Sequence, residues 1–379
     1  MNSAPIRERM TCASVSRRDI VKFTRLGTVS IIAMTTALTL SACVSTPVGD
    51  GTGLTGTIIG AGASSQQSAQ EVWVRGFQLA NVQATVEYDP LGSGGGRDTF
   101  VGGGAVFAAS DRAFTVDEVA AGDFVSCVDG TGILEIPAYI SPIAIIFNLD
   151  GVDSLNLDAD TIAAIFTKAI DRWDDPAIAE QNTSVELPNQ RITAVHRADD
   201  SGTTANFTSY LAEAAPNSWS VGSIEKWPRE FGGEAAPQTS GVVDAVTNGT
   251  GTIGYADASR AGELGTVAVK VGDEYVEYSA EAAAAIVDVS PFGENRGPTD
   301  LAVEIDRAST AAGVYPVVLI SYLIACNEYV SDDQVDVIRG YLDYVISSDG
   351  QQAAAAGAGS APISPSLFDK ASAAVAAIK

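Results

Sequence analysis

The sequence predicts an α/β fold. Short strand-like segments rich in Val and Ile alternate with amphipathic helical segments along the chain. Several of these changes from strand to helix occur across Gly and Ser with no bulky residue between, and no short internal repeat is visible. With 379 residues and 46% hydrophobic content, the chain can bury one large or two medium cores.

The first residues stand apart from this alternation. Arg17, Arg18, Lys22 and Arg25 precede an apolar run over 26–40, which ends in Leu40-Ser41-Ala42-Cys43. The run is short for a bilayer span and has the order of an export signal over 1–43. Small residues before a cysteine resemble a bacterial lipobox, in which Cys43 becomes the mature N-terminus and carries the lipid that anchors the chain to a membrane. The alternative is a short buried helix with an incidental cysteine. Ser16-Arg17-Arg18-Asp19-Ile20-Val21-Lys22 resembles a twin-arginine signal; a start site placed too early would leave Val21-Lys22-Phe23 to open an ordinary secretory signal.

Residues 44–56, rich in Gly, Ser and Thr, read as a flexible tether. A short strand follows at 57–60. Residues 64–81 are helical, with Trp73, Phe77 and Ala80 on one face. Residues 82–88 alternate as a strand, and 106–109 form a buried one. A Thr115/Glu118 capping box opens a short helix over 115–121. A long apolar run spans 140–149 around Pro142. Residues 161–170 are helical, 192–196 alternate as a strand, and 201–211 are helical again. The helix 242–247 leads into the strand 252–255. Residues 314–325 are apolar and β-branched, and the helices 332–347 and 368–379 close the chain.

The net charge of −25 argues against nucleic acid and against binding through a basic face. An anionic ligand must therefore be drawn in by local donors, against the field of the whole molecule. Of four cysteines, Cys12 leaves with the signal and Cys43 is the lipid site. Cys127 and Cys326 remain, in a chain bound for an oxidising compartment, and form either a disulfide or two buried thiols. No CxxC or Cys/His cluster exists, so a structural zinc site is not expected; no cofactor is expected either.

The densest chemistry lies in Arg197-Ala198-Asp199-Asp200-Ser201-Gly202-Thr203, between the strand 192–196 and a helix that Ser201 caps. The first-turn N–H groups have no carbonyl partner within the helix, point outward with its positive pole, and are screened only by small side chains. Arg197 adds a planar cation. Together these make a pocket for a tetrahedral oxyanion. Three further segments share this physics: Gly60-Ala61-Gly62-Ala63-Ser64-Ser65; Gly92-Ser93-Gly94-Gly95-Gly96, read as a nest of N–H groups; and Ala109-Ser110-Asp111, which ends a strand on a carboxylate. No Walker loop and no G-x-G-x-x-G fingerprint is present.

These four segments, in this order, resemble the phosphate-binding lipoproteins of bacterial ABC phosphate importers. Trp173-Asp174-Asp175-Pro176-Ala177-Ile178, Ile253-Gly254-Tyr255 and Tyr315-Pro316 add to the likeness, which runs from 54 to the C-terminus. The resemblance implies a two-lobed periplasmic-binding-protein fold with two interlobe crossings. One lobe would hold 54–138 and 314–379, the other 139–313, with the ligand in the cleft between them. Cys127 and Cys326 would then share the first lobe and could pair. Carried over by position, Ser64, Ser65, Ser93, Ser201, Gly202 and Thr203 would donate to inorganic phosphate. Arg197 would hold it as a cation steadied by Asp199, and Asp111 would accept the phosphate proton. The family usually has Thr then Phe where Ser64 and Ser65 stand, and often Gly at Asp200. The implied partners are the permease subunits of the importer, and a monomer is expected.

Two other readings stay in view. A serine hydrolase or phosphatase would use Ser201 or Ser64 with His196, the only histidine; alternation turns His196 and Arg197 to opposite faces, and no G-x-S-x-G elbow occurs. The same fold could instead take arsenate, sulfate or molybdate. Asp111 argues against sulfate, because a fully deprotonated anion would face its charge.

Overall fold

The structure, a computed structural model, describes residues 53–379. The expected export signal over 1–43, the lipid site Cys43 and the tether up to 52 lie outside the described residues. No helix among the described residues is long and apolar enough to cross a membrane.

The strands, in chain order, are β1 (Thr55–Gly62), β2 (Gln83–Asp89), β3 (Phe107–Ser110), β4 (Ile133–Asn148), β5 (Ser154–Leu157), β6 (Thr193–Arg197), β7 (Glu234–Ala236), β8 (Thr252–Asp257), β9 (Gly265–Val271), β10 (Glu274–Val276) and β11 (Val318–Cys326). They join in the order β2-β1-β3-β11-β4-β8-β6-β7, and β9 pairs with β4, β5 and β10. β1 is parallel to β2 and β3, while β11 runs antiparallel to β3 and β4.

β4 carries the sheet from one half to the other. Up to Pro142 it pairs with β11, and from Ile143 it pairs with β8. A proline offers no N–H to a ladder, so it suits the point where the partner changes. The apolar run expected at 140–149 therefore begins earlier, at Ile133. Glu135 and Pro137 hide this in the sequence. Pro137 is tolerated because the register against β11 shifts between Ser321 and Tyr322, leaving Ala138 without an opposite residue.

Several boundaries differ from expectation for local reasons. β1 starts at Thr55, inside the segment read as tether, because its backbone pairs with β2 from Gln83 onward. The helix expected over 64–81 is a 3-10 turn, Ser64–Gln66, followed by the α-helix Gln67–Ala80. Its buried face is Ala69, Gln70, Trp73 and Phe77, and Ala80 falls on the exposed end. The helix of 161–170 is Ala159–Phe166, stopped before Lys168, whose φ is 62°. The closing helices are Val335–Ile346 and Pro365–Ala376. Between them Ser348–Ala358 is helical too, its first turn capped by Ser347. That Ala-rich segment has too weak an apolar period to announce itself.

The core of the β1–β11 half stacks Trp73, Phe77, Phe107, Tyr139 and Tyr341 edge to face or tilted, with ring centroids 5.4–6.2 Å apart. Cys127 and Cys326 form a disulfide that closes a sequence separation of 199 residues. The Thr115/Glu118 capping box is present on the helix Val116–Ala121.

Candidate functional site

Four helices begin beside one another around Asp111 and Arg197. After β1 the chain turns directly into Ser64–Gln66. Gly92, at φ 90°, caps the helix Ser93–Val101. After β6, Ser201 caps the helix Gly202–Ala214 through a hydrogen bond from Thr204 N–H at 3.1 Å. The fourth, Gln238–Asn248, is the helix expected over 242–247; it begins earlier, and that start brings it to the site. Helix starts share a positive pole and outward N–H groups, so their convergence favours an anion.

The segment read as a nest, Gly92 to Gly96, is instead the start of a helix, a correction to the sequence reading. Gly96 N–H bonds back to Gly92 O at 2.9 Å, and Gly94 N–H reaches Asp200 O at 3.0 Å. The glycines serve close approach: a Cβ on Gly96 would lie 2.3 Å from Gly62 Cα. Gly202 has the same constraint, since a Cβ there would meet Ser93 Oγ at 2.6 Å and Asp111 Cβ at 2.7 Å.

Asp111 is buried at the end of β3 and gathers the predicted residues. Its Oδ1 accepts from Ser65 Oγ at 2.6 Å and from Ser321 Oγ at 2.7 Å. Its Oδ2 accepts from Thr203 Oγ1 at 2.8 Å, and its N–H donates to Ser93 Oγ at 3.1 Å. Ser64 Oγ lies 3.1 Å from Thr239 Oγ1 and accepts from Thr239 N–H at 3.0 Å, so it faces the fourth helix start rather than Asp111. Asn206 ties the two sides together by donating to Asp111 O and Gly202 O.

Arg197, also buried, forks onto Asp199: Nε donates to Oδ1 at 2.9 Å and Nη2 to Oδ2. Its Nη1 lies 3.5 Å from Thr203 Oγ1. Burial pushes the Asp199 carboxyl up, but the Arg197 hydrogen bonds and charge outweigh it. With help from Gln238 N–H, they hold Asp199 below the usual carboxylate range. Asp200 pairs with Lys226 at 2.9 Å near the surface.

Sequence reasoning missed several participants. Arg97 donates to Ser110 Oγ and, through Nη2, to both Glu225 oxygens, and Ser201 N–H donates to Glu225 O. Arg97 follows the glycine run and could have been suspected. Ser321, Thr239 and Glu225 carry no local signal. Among the described residues, no group of three or more His, Cys, Asp or Glu side chains is placed to hold a metal ion.

The arrangement of His196 bears on the hydrolytic reading. Its ring stacks on Trp227 at 5.1 Å and Nδ1 sits 2.9 Å from Arg197 O, while burial lowers its pKa. The hydroxyls of Ser201 and Ser64 are engaged by Thr204 and Thr239. The described residues thus pair His196 with neither serine.

Comparison with known proteins points the same way as the geometry. The family described as the PBP superfamily domain matches residues 48–349. The phosphate-binding protein PstS 3 of Mycobacterium tuberculosis (strain ATCC 25618 / H37Rv) is 30% identical over 350 residues, covering 86% of this chain and 92% of that protein. PstS 3 of Mycobacterium leprae is 32% identical over 331 residues, covering 85% and 87%. The crystal structure of a phosphate binding protein from Stenotrophomonas maltophilia matches at a TM-score of 0.65 with 19% identity, covering 84% of this chain and 93% of that one. That likeness shows a shared fold.

Proposed function

Because this chain belongs to the PBP superfamily, together with the PstS phosphate-binding proteins, we propose that it binds inorganic phosphate outside the cytoplasmic membrane and delivers it to an ABC importer. The observation that carries this reading is the balance of donors and acceptors: converging helix N-termini and a buried arginine surround one buried carboxylate, Asp111. Such a set complements an oxyanion that still holds a proton. Phosphate does so at neutral pH and sulfate does not.

In this reading Arg197 grips the ligand, with Asp199 holding its guanidinium in plane. Ser64, Ser93 and Ser201 supply hydroxyl donors, and Ser65, Gly202 and Thr203 supply backbone N–H donors, the Ser65 and Thr203 hydroxyls being spent on Asp111. Asp111 accepts the ligand's proton. The protein acts as a carrier and not as an enzyme. Residues 54–138 and 314–379 form one lobe and 139–313 the other, and the partner change of β4 at Pro142 supports a joint between them. A lipid on Cys43 holds the monomer at the outer face of the membrane, where it meets the permease subunits.

Calorimetry on the ligand-stripped chain from residue 44 onward tests the reading. Phosphate and arsenate bind, and sulfate is weaker by about 10⁴-fold, the discrimination available to a site whose buried polar group is paired only by the right ligand. Tight sulfate or molybdate binding without phosphate binding overturns it.

A further inference from the structure

Behind Asp111 runs a line of fully buried polar side chains. Tyr341 O–H donates to Gln70 Oε1 at 2.6 Å, and Gln70 Nε2 donates to Gln66 Oε1 at 2.8 Å. Gln66 Nε2 donates to Ser321 Oγ at 2.8 Å, and Ser321 Oγ donates to Asp111 Oδ1 at 2.7 Å. Every bond points the same way, toward the carboxylate. The direction follows from the chemistry of the end groups. A carboxylate can only accept, so Ser321 must spend its single proton on Asp111. Its lone pair then takes the Gln66 amide N–H, and each amide further back is oriented in turn.

The opposite side of Asp111 is constrained in the same sense. Arg197 can only donate, so Thr203, 3.5 Å from Nη1, turns its own proton to Asp111 Oδ2. Ser65 donates to Oδ1. Two donors fill Oδ1 and one sits on Oδ2. Of the roughly four acceptor positions of a carboxylate, the open one is therefore on Oδ2.

We propose that Ser321, oriented by Gln66, is a specificity-determining positioning residue: it fixes Asp111 as an acceptor, so that the anion must bring the proton. The inference rests on the phosphate-binding reading above. It adds that selectivity over sulfate depends on a β11 serine and a helix-start glutamine, neither of which would need to touch the ligand.

The test compares phosphate and sulfate affinities of the same protein at one neutral pH, by calorimetry for phosphate and by competition for sulfate. Ser321→Ala and Gln66→Met should narrow the phosphate-to-sulfate ratio by about tenfold or more, the scale of one hydrogen bond to a charged group. Ser321→Thr, which keeps the hydroxyl, should retain most of it. If Ser321→Ala does not fold, Gln66→Met decides, since it leaves the serine and its packing in place. An unchanged ratio, or equal weakening of both anions, marks a packing role and overturns the proposal. Failure of the unmodified protein to bind phosphate removes the reading beneath it, a separate result seen before any variant is made.

Discussion

Arg197 is the residue on which the site's electrostatics turn. It is buried, forked onto Asp199, and within reach of Thr203. Arg197→Ala should weaken phosphate binding by about 2–5 kcal/mol, the range for truncating a buried charged partner. Arg197→Lys should recover only part, because an ammonium lacks the two-pronged geometry. Asp199→Ala should cost less in the Arg197→Ala background than alone, and a double-mutant cycle on phosphate affinity reads that coupling. Additive effects would mean that the pair does not act as a unit. Arg197 was legible in the sequence as a planar cation beside a capped helix start, and the role of Asp199 only as an implication of the family resemblance. Ser321 was not. It is brought to Asp111 from 210 positions away, and nothing beside it in the chain marks it as polar machinery.

At the scale of elements, β4 and its partner β8 each hold a buried carboxyl group whose pKa is raised. Glu135, inside β4, is pushed up to about 8 by burial, with Asp300 adding to the rise; Phe114 N–H and Arg296 oppose it. Asp257, at the end of β8, is pushed up to about 6 by burial, against hydrogen bonds from Ser259, Ser141 and Tyr139. A carboxyl raised in the folded state binds a proton more tightly there than in the unfolded chain. Its contribution is complete below the unfolded value and is lost as pH rises through the folded one. For Glu135 that window runs from 4.5 to about 8, and for Asp257 from 3.8 to about 6. The melting temperature should therefore fall between pH 5 and 8.5. Glu135→Gln should flatten the slope above pH 6, where a loss on the order of a few kcal/mol is at stake. Differential scanning calorimetry across this range checks it, and a variant with an unaltered slope would count against Glu135 as the source.

For the whole molecule, the covalent link between Cys127 and the end of β11 closes most of the chain into one loop. A cross-link over so long a separation restricts the unfolded ensemble. The variant carrying Cys127→Ala and Cys326→Ala should lose about 2–4 kcal/mol of stability in denaturant titrations. Its phosphate affinity should stay near that of the unmodified protein. Cys326 lies five residues along β11 from Ser321, roughly 17 Å at strand spacing, so the loss should not reach the site. A large affinity change would show that the link also orders the site.

The sequence by itself determined what is local: the alternation of strand and helix, the Ser201 cap and the Arg197 cation beside it. These depend on residues within a turn or two of each other, where propensity and capping act without help. The pairing of Cys127 with Cys326 was within reach only as an implication of family resemblance. Tertiary structure alone decided the rest. It made the glycines after β2 a helix start instead of a nest, because Gly94 and Gly96 must pass within contact of Asp200 and Gly62. It carried β4 through Pro137 by a register shift. It set three hydroxyls from three distant segments on one carboxylate. A hydrogen-bond partner across the core is selected by the closure of the whole sheet, and no window of neighbouring residues contains that information.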